Sequence, residues 1–228
     1  MEATENNLEV FEGSRVFNYD GFVQQWIPNY DYFMSIMPRL LGNSPEKSLL
    51  AVGCGTGTEI LALKEIDKEW SVTGVDPSPE MIDIAQQKLM SYENIELFEG
   101  KLEQLMNSSL FGAASLLLVL HFIKYPNEKL ELLNEIQKRL KPGAPLILMG
   151  IIGDREEVHA NLETLEKLLP FNASQKEIDE RWDRIKHQLY RTSEEELKKL
   201  LIRAGFEKPT RFFQTSIYSG WITKKCSS

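Results

Sequence analysis

Three glycines at alternate positions separate an apolar run from a helical pattern in "LLAVGCGTGTEI", residues 49–60. A turn of this kind between a strand and a helix offers backbone amides to a nucleotide-like ligand. The glycines are Gly53, Gly55 and Gly57, whereas a dinucleotide fingerprint needs its third glycine at position 58, which holds Thr58. The turn therefore indicates a nucleotide-like ligand and disfavours a nicotinamide dehydrogenase.

A carboxylate stands where such a ligand would present its ribose. The strand "VTGVD" ends at Asp76, nineteen residues after Gly57, and a carboxylate there can accept hydrogen bonds from both ribose hydroxyls. The following "PSPEM" starts a helix and leaves Met81 able to lie against a purine. An acid at a helix start also has a purely structural explanation. The glycine turn and the strand-end acid together favour ligand binding.

These residues need a sheet whose strands end at one edge, and the hydrophobic pattern predicts one. Apolar strand patterns alternate with amphipathic helix patterns, which is typical of a Rossmann-like, doubly wound α/β sheet. We expect about seven strands, mostly parallel, closed by an antiparallel hairpin in "TRFFQTSIYSGWITKK". The strands are predicted at 48–53, 71–76, 95–99, 114–120 and 144–151, and the helices at about 57–66, 79–91 and 126–140.

Two helical additions flank this sheet within one predicted domain, residues 1–228. Residues 1–42 form an N-terminal arm and two short helices separated by Pro28. We expect residues 15–32 to close over the ligand as a lid through the aromatic side chains of Phe17, Tyr19, Tyr30 and Tyr32. Residues 154–190 form a helical cap insertion, and a capping box of Ser193 and Glu196 starts a helix over 194–203.

The amino-acid composition limits the classes of partner that this protein is expected to bind. The formal charge of −8 over 228 residues disfavours nucleic acid without excluding it. No apolar run approaches the ~20 residues that a membrane helix needs, and the acidic N-terminus lacks a secretory pattern, so we expect a cytoplasmic protein with no membrane partner. Cys54 and Cys226 are expected to be free thiols without metal-ligand spacing. The sequence is compatible with both a monomer and a homodimer.

The chain resembles the class I S-adenosylmethionine-dependent methyltransferases through "AVGCGTG", "VTGVDPSPEMIDIAQQKL", "ASLLLVLHFI" and "LKPGAPLILMG". The resemblance implies S-adenosyl-L-methionine as cofactor, with its methionine part on the glycine turn and its ribose on Asp76. Leu120 and His121 would lie beside the sulfonium. The cofactor-binding residues implied are Gly53, Cys54, Gly55, Gly57, Asp76, Pro77, Ser78, Met81, Leu102, Leu120 and Tyr19.

The chain departs from that family at three positions that often carry acids. Ala51 precedes the first glycine by two residues, Lys101 stands near the expected adenine amino group, and Ala113 precedes the fourth strand. The ammonium group of the cofactor must therefore find its anion elsewhere or through water.

A narrower resemblance links the chain to carboxy-S-adenosylmethionine synthases and related proteins of tRNA wobble-uridine modification. It rests on "RVFNYDGFVQQWIPNYDYF", "ASLLLVLHFI" and "RAGFEKPTRFFQTSIYSGWITKK". That family implies a cap arginine for a carboxylate, here Arg181 or Arg184, and a serine near the position of Thr56.

The predicted activity is in-line methyl transfer to a small-molecule acceptor that is anionic or aromatic. Proximity and desolvation can suffice for this chemistry, so no catalytic residue is assigned. His121 is a candidate general base, although a lone histidine at a strand end is more often part of a pocket wall. The candidate substrate-binding residues lie in or just after the cap: Arg181, Arg184, Tyr190 and Arg191. The alternatives are a carboxy-S-adenosylmethionine synthase-like transferase and a non-catalytic cofactor-binding module.

Overall fold

The computed structural model describes residues 18–106, 109–169 and 173–227. Most of the predicted arm, including Phe17, lies outside these ranges. The helices are α1 (Tyr19–Trp26), α2 (Tyr30–Leu40), α3 (Thr58–Ile66), α4 (Pro79–Leu89), α5 (Pro126–Lys138), α6 (Arg155–Leu168), α7 (Gln175–His187) and α8 (Glu194–Arg203). The strands are β1 (Ser48–Val52), β2 (Ser71–Asp76), β3 (Ile95–Glu99), β4 (Ala113–Leu117), β5 (Pro145–Ile151), β6 (Thr210–Thr215) and β7 (Tyr218–Lys224).

The strands form one sheet of seven in the order β3-β2-β1-β4-β5-β7-β6. Strands β1 to β5 pair in parallel, while β7 pairs antiparallel with both β5 and β6. The predicted doubly wound sheet with a closing hairpin is confirmed. The chain order reverses between β1 and β4, and in open α/β sheets the ligand crevice lies outside the carboxyl ends of the strands at such a point.

The core explains why the central strands are continuous apolar runs. Strands β1, β4 and β5 are buried along their whole length, because helices cover both faces of the sheet. Successive residues point to opposite faces, so Leu49 and Ala51 join one hydrophobic cluster while Leu50 and Val52 join the other. The first cluster includes residues of α1 to α4, α6 and α7, and the second includes residues of α5 and α8.

The lid and cap regions therefore pack on the same face of the sheet. The predicted break at Pro28 is confirmed, since α1 ends at Trp26 and α2 starts at Tyr30. The cap consists of α6 and α7, which begin at complete capping boxes headed by Asp154 and Ser174. At α8 the Ser193 hydroxyl accepts a hydrogen bond from the Glu196 backbone N–H at 3.2 Å, so the serine half of the predicted box forms.

One boundary differs in a way that matters for the site. The predicted strand 114–120 ends at Leu117, because Leu118 takes a left-handed φ of 60° and a single 3-10 turn over Leu120–Phe122 follows. A left-handed conformation is uncommon for a leucine. The residues expected at the end of the strand instead form a loop at the ligand-bearing edge of the sheet.

Candidate functional site

The glycine turn after β1 is held rigidly by its neighbours. Gly53, Gly55 and Gly57 have φ values of 66°, 50° and 77°, which favour glycine. The N–H groups of Gly53 and Cys54 both donate to the Val75 carbonyl, at 2.8 and 3.1 Å. A side-chain carbon at Gly53 would lie 2.4 Å from a methyl of Val119. The turn is thus fixed between the ends of β2 and β4.

Gly55 is the member of the turn with the most room beside it. A side-chain carbon there would have its nearest neighbours 4.0 Å away, at the Met81 sulfur and the Tyr19 ring. Met81 comes from the start of α4 and Tyr19 from α1, so three separate elements border this space. The Cys54 side chain is buried instead, and burial together with the charges of Glu59 and Asp76 raises the pKa of its thiol well above the ordinary value. That thiol is not a nucleophile in this state.

Asp76 lies directly against the turn. Its Oδ2 accepts the Gly55 N–H at 2.8 Å and its Oδ1 accepts the Ser78 N–H at 2.9 Å. Burial raises the pKa of the carboxyl, while these two hydrogen bonds act in the opposite direction. Each carboxylate oxygen has a second lone pair, so the group can still accept one hydroxyl on each oxygen. Pro77 is half-buried beside it, and Ser78 caps α4 by accepting the Met81 N–H at 3.3 Å.

The first lid helix is tied to the turn by a polar cluster. The Asp20 carboxylate accepts hydrogen bonds from the hydroxyls of Thr56 and Thr58, at 2.5 and 3.0 Å. It also forms an ion pair of 2.5 Å with Lys88 of α4. Burial raises the pKa of Asp20, but the bonds from Lys88, Thr56 and Thr58 outweigh it and lower the pKa overall. The resemblance to the synthases implies a serine near position 56. In this chain the Thr56 hydroxyl at that position donates to Asp20 of the lid.

Two of the three described lid tyrosines face inward. Tyr30 is 5% exposed, and burial raises the pKa of both Tyr19 and Tyr30, with the charge of Glu59 adding to the effect. Tyr32 is 61% exposed, so the expectation that it faces the pocket is wrong. On a helix, positions 30 and 32 lie on different faces, and only the first packs against the body of the protein.

Glu59 is a functional candidate that the sequence analysis missed. It is the second residue of α3, it is 4% exposed, and its Oε1 has no hydrogen-bond partner among the described residues. Burial raises the pKa of this carboxyl to about 8. The signal in the sequence is an acid two residues after the last glycine, on the other side of the turn from position 51. Ala51 and Ala113 are both completely buried among apolar residues, and Lys101 is half-buried.

Arg181 of the cap reaches the lid and the sheet together. Its guanidinium donates to the Tyr218 hydroxyl at 2.7 Å and lies 4.4 and 5.0 Å from the ring centres of Phe22 and Trp26. Its Nε has no hydrogen-bond partner within the described ranges. Phe22 and Trp26 belong to α1, the helix whose first residue, Tyr19, lies beside Gly55.

His121 lies buried in the 3-10 turn that follows β4. Burial, then the charges of Lys129, Arg181 and Arg184, lower the pKa of its imidazole to about 3. Its Nδ1 has no hydrogen-bond partner in the part of the chain that is described. An imidazole of such low pKa is neutral at physiological pH and is a weak general base. The geometry favours the role of a wall.

The remaining predicted residues divide into two groups. Arg184 and Arg191 are half-buried, and Tyr190 contributes its backbone, whose N–H donates to the His121 carbonyl at 2.8 Å, while its side chain is 38% exposed. Leu102 and Leu120 are buried in the second hydrophobic cluster. The structure therefore brings the glycine turn, Asp76, Met81 and Tyr19 together and sets Arg181 beside them. It places Leu102 in the packing of the sheet.

The sequence around this arrangement is similar to that of known proteins. The model of a methyltransferase domain family matches residues 49–143, which contain the glycine turn, Asp76 and the loop after β4. Over these residues the chain is similar to the class I S-adenosylmethionine-dependent methyltransferases. Within the residues that the structure describes, no helix is long and apolar enough to cross a membrane and no cluster of three acidic, His or Cys residues could hold a metal.

Other known proteins are similar to this chain over more than nine-tenths of its length. The carboxy-S-adenosyl-L-methionine synthase of Campylobacter fetus is 25% identical over 224 residues, covering 94% of both chains. The synthase of Desulfotalea psychrophila is 27% identical over 229 residues, covering 95% of this chain and 93% of its own. Human N-acetylserotonin methyltransferase, solved with SAM, superposes with a TM-score of 0.64 at 20% identity. That alignment covers 93% of this chain and 56% of the human chain, and it shows the shared fold.

The site fits the cofactor of this family. Gly55 has no side chain and no close neighbour on its outer side, Asp76 retains acceptor capacity for two hydroxyls, and Glu59 holds a buried carboxyl oxygen without a partner among the described residues. A ligand with a ribose, an apolar base and a cationic amino acid part complements all three features.

Proposed function

We propose that this protein is a cytoplasmic S-adenosylmethionine-dependent methyltransferase that acts on a small anionic acceptor. The observation that carries the proposal is the guanidinium of Arg181, which lies between lid, cap and β7 with an Nε that has no partner among the described residues. A fixed cation beside a cofactor turn is the group that an acidic acceptor needs for orientation. A small acceptor suits a space covered by both helical additions.

The protein residues have separate tasks in this scheme. Asp76 would accept the ribose hydroxyls, and the glycine turn would lie against the amino acid part of the cofactor. Bound S-adenosylmethionine supplies an activated methyl group on a sulfonium. The lid, fixed through Asp20 to Thr56, Thr58 and Lys88, excludes water from the reacting atoms. Arg181 would position the acceptor for in-line attack, and neutral His121 would form a wall.

A second candidate is formation of carboxy-S-adenosylmethionine. Two observations favour it: the relatives that match the chain over more than nine-tenths of its length bear that name, and Arg181 is the fixed cap cation that a carboxylate on the cofactor would require. Both candidates use the same turn and the same arginine. They differ in which molecule carries the anion.

The discriminating experiment starts from the small molecules that copurify with the full chain, identified by mass spectrometry. A carboxylated cofactor supports the second candidate, whereas S-adenosylmethionine or S-adenosylhomocysteine alone supports the first. Turnover is then measured as S-adenosylhomocysteine formed in the presence of a panel of small carboxylates. Cofactor binding without any turnover would indicate the non-catalytic module instead.

Arg181→Met tests the role of the cation, because methionine keeps the aliphatic bulk. We expect turnover, or the yield of carboxylated cofactor, to fall roughly tenfold or more, since a charge-assisted bond to the anion is lost. Affinity for S-adenosylhomocysteine, measured by calorimetry, should stay within about twofold by the same reasoning. Arg203→Met is the matched control, because Arg203 is exposed at the end of α8. Normal turnover in the Arg181 variant would contradict the proposal.

A further inference from the structure

A buried carboxyl group at the cofactor turn has one oxygen without a hydrogen-bond partner among the described residues. Glu59 is 4% exposed, and its Oε1 accepts no hydrogen bond from any described residue. The α3 helix on which it sits begins at the turn glycine Gly57. An unpaired buried polar group destabilises a fold, so such a group at a binding site points to a ligand that supplies the missing partner.

The surroundings of Glu59 place it between the turn and the lid. The groups that its charge affects are Tyr19 and Tyr30 from the lid and Cys54 from the turn. The charged groups that act on it are Asp76 at the end of β2, Lys88 of α4 and Asp20 of α1. Two of those three are acids, and Glu59 lies two residues after Gly57 on the helix that begins at the turn.

The single cation of this set is already engaged. The Lys88 ammonium contacts Asp20 at 2.5 Å and the hydroxyls of Thr56 and Thr58 at 3.0 Å each. An ammonium has three N–H donors, and these three contacts use them. Lys88 therefore leaves the carboxyl of Glu59 available for a cation that comes from outside the protein.

The sequence supplies a complementary fact. Ala51, two residues before the first glycine, is completely buried in the apolar core and offers no anion. We infer that the Glu59 carboxylate binds the α-ammonium group of the cofactor's amino acid part, and that it takes the place of the acid lacking at position 51. This inference rests on the proposed cofactor. It assigns Glu59 as a specificity residue for a ligand with a charged amino acid tail.

Proton release follows from this assignment. Burial raises the pKa of Glu59 to about 8 in the free protein, so the carboxyl is mostly protonated at pH 7. A bound ammonium stabilises the carboxylate and lowers its pKa, because opposite charges favour each other's ionised form. Binding must then release close to one proton at pH 7, and affinity must rise with pH between about 6 and 7.5.

The test compares two ligands that differ in the amino acid part. S-adenosylhomocysteine carries the ammonium group, whereas 5′-methylthioadenosine keeps the adenosine and the thioether without it. Calorimetry of the full chain with Glu59→Gln should show S-adenosylhomocysteine bound roughly tenfold or more weakly, and 5′-methylthioadenosine unchanged within about twofold. Glu65→Gln, at an exposed position of the same helix, should bind both ligands normally.

A measurement on the wild-type protein keeps the test independent of variant folding. Titrations at pH 7 in buffers of different ionisation enthalpy should show a proton released with S-adenosylhomocysteine and none with 5′-methylthioadenosine. Equal proton release for both ligands would overturn the inference, as would equal weakening of both ligands in Glu59→Gln. If the wild-type chain binds neither ligand, the proposed cofactor itself fails.

Discussion

Single residues at the turn act through acceptor and donor capacity. Asp76 holds the backbone of Gly55 and Ser78 and keeps one lone pair on each oxygen. Arg181 and Glu59 are a cation and an acid that each leave an atom without a partner among the described residues. A cofactor and an acidic acceptor would satisfy all three groups. The site is therefore built from polar groups whose partners are ligands.

Replacing Asp76 should separate binding from folding. Asp76→Ala removes the two acceptors for the ribose hydroxyls, and we expect a loss of about 1.5–3 kcal/mol in binding of S-adenosylhomocysteine. Calorimetry measures the change. Asp83→Ala, at an exposed position of α4, serves as control. Unchanged affinity in the Asp76 variant would remove the ribose contact, and preferential binding of a nicotinamide cofactor would redirect the assignment.

Among the elements, α1 carries the lid and its anchor. Asp20 joins this helix to the turn and to α4, while Phe22 and Trp26 contact the cap arginine. A deletion through residue 32 would also remove buried Trp26, Ile27 and Tyr30 from the core. The contribution of the lid is therefore better tested at its anchor than by truncation.

Loosening the anchor should change ligand release. Asp20→Asn weakens the bonds to Thr56, Thr58 and Lys88, so the lid opens more often and S-adenosylhomocysteine should dissociate roughly three- to tenfold faster, as loop gating implies. Stopped-flow displacement measures the rate. Asp31→Asn, exposed on α2, should release the ligand at the wild-type rate. An unaltered rate in the Asp20 variant would mean that the lid does not gate the site.

At the scale of the whole molecule, buried ionisable groups set the pH dependence of stability. The folded protein holds Glu59 with a pKa of about 8 against an ordinary 4.5, and His121 with a pKa of about 3 against an ordinary 6.5. Between pH 4.5 and 8 Glu59 binds more protons in the folded than in the unfolded protein. Its contribution to the free energy of unfolding therefore falls as pH rises. His121 binds more protons when unfolded between pH 3 and 6.5, so its effect is opposite there. Lys129, lowered to about 8, acts above that pH.

The free protein should therefore lose stability between pH 6.5 and 8, where Glu59 acts alone among these three groups. The slope should approach ~1.4 kcal/mol per pH unit at most. Urea unfolding followed by circular dichroism at several pH values measures it. Glu59→Gln should flatten this part of the profile, and Glu65→Gln should leave it intact. A wild-type profile that is level from pH 6.5 to 8 would contradict the assigned ionisation of Glu59.

The sequence by itself determined the features that depend on residues close together in the chain. Alternating apolar strands and amphipathic helices required a doubly wound sheet, and the glycine spacing with Asp76 at the next strand end defined the ligand edge. These features depend on neighbouring residues, because strand pattern, turn geometry and helix start are set within a few positions. The fold class and the approach of Asp76 to the glycine turn were therefore predictable.

Only the tertiary structure decided the contacts between distant segments. Thr56 meets Asp20 across 36 positions, and Arg181 meets Tyr218 across 37. Glu59 resembles any acid in the first turn of a helix until α2 packs over it and removes it from water. Burial and the absence of a partner are properties of the assembled fold, since both depend on which faces of which helices meet. No local pattern in the chain encodes them.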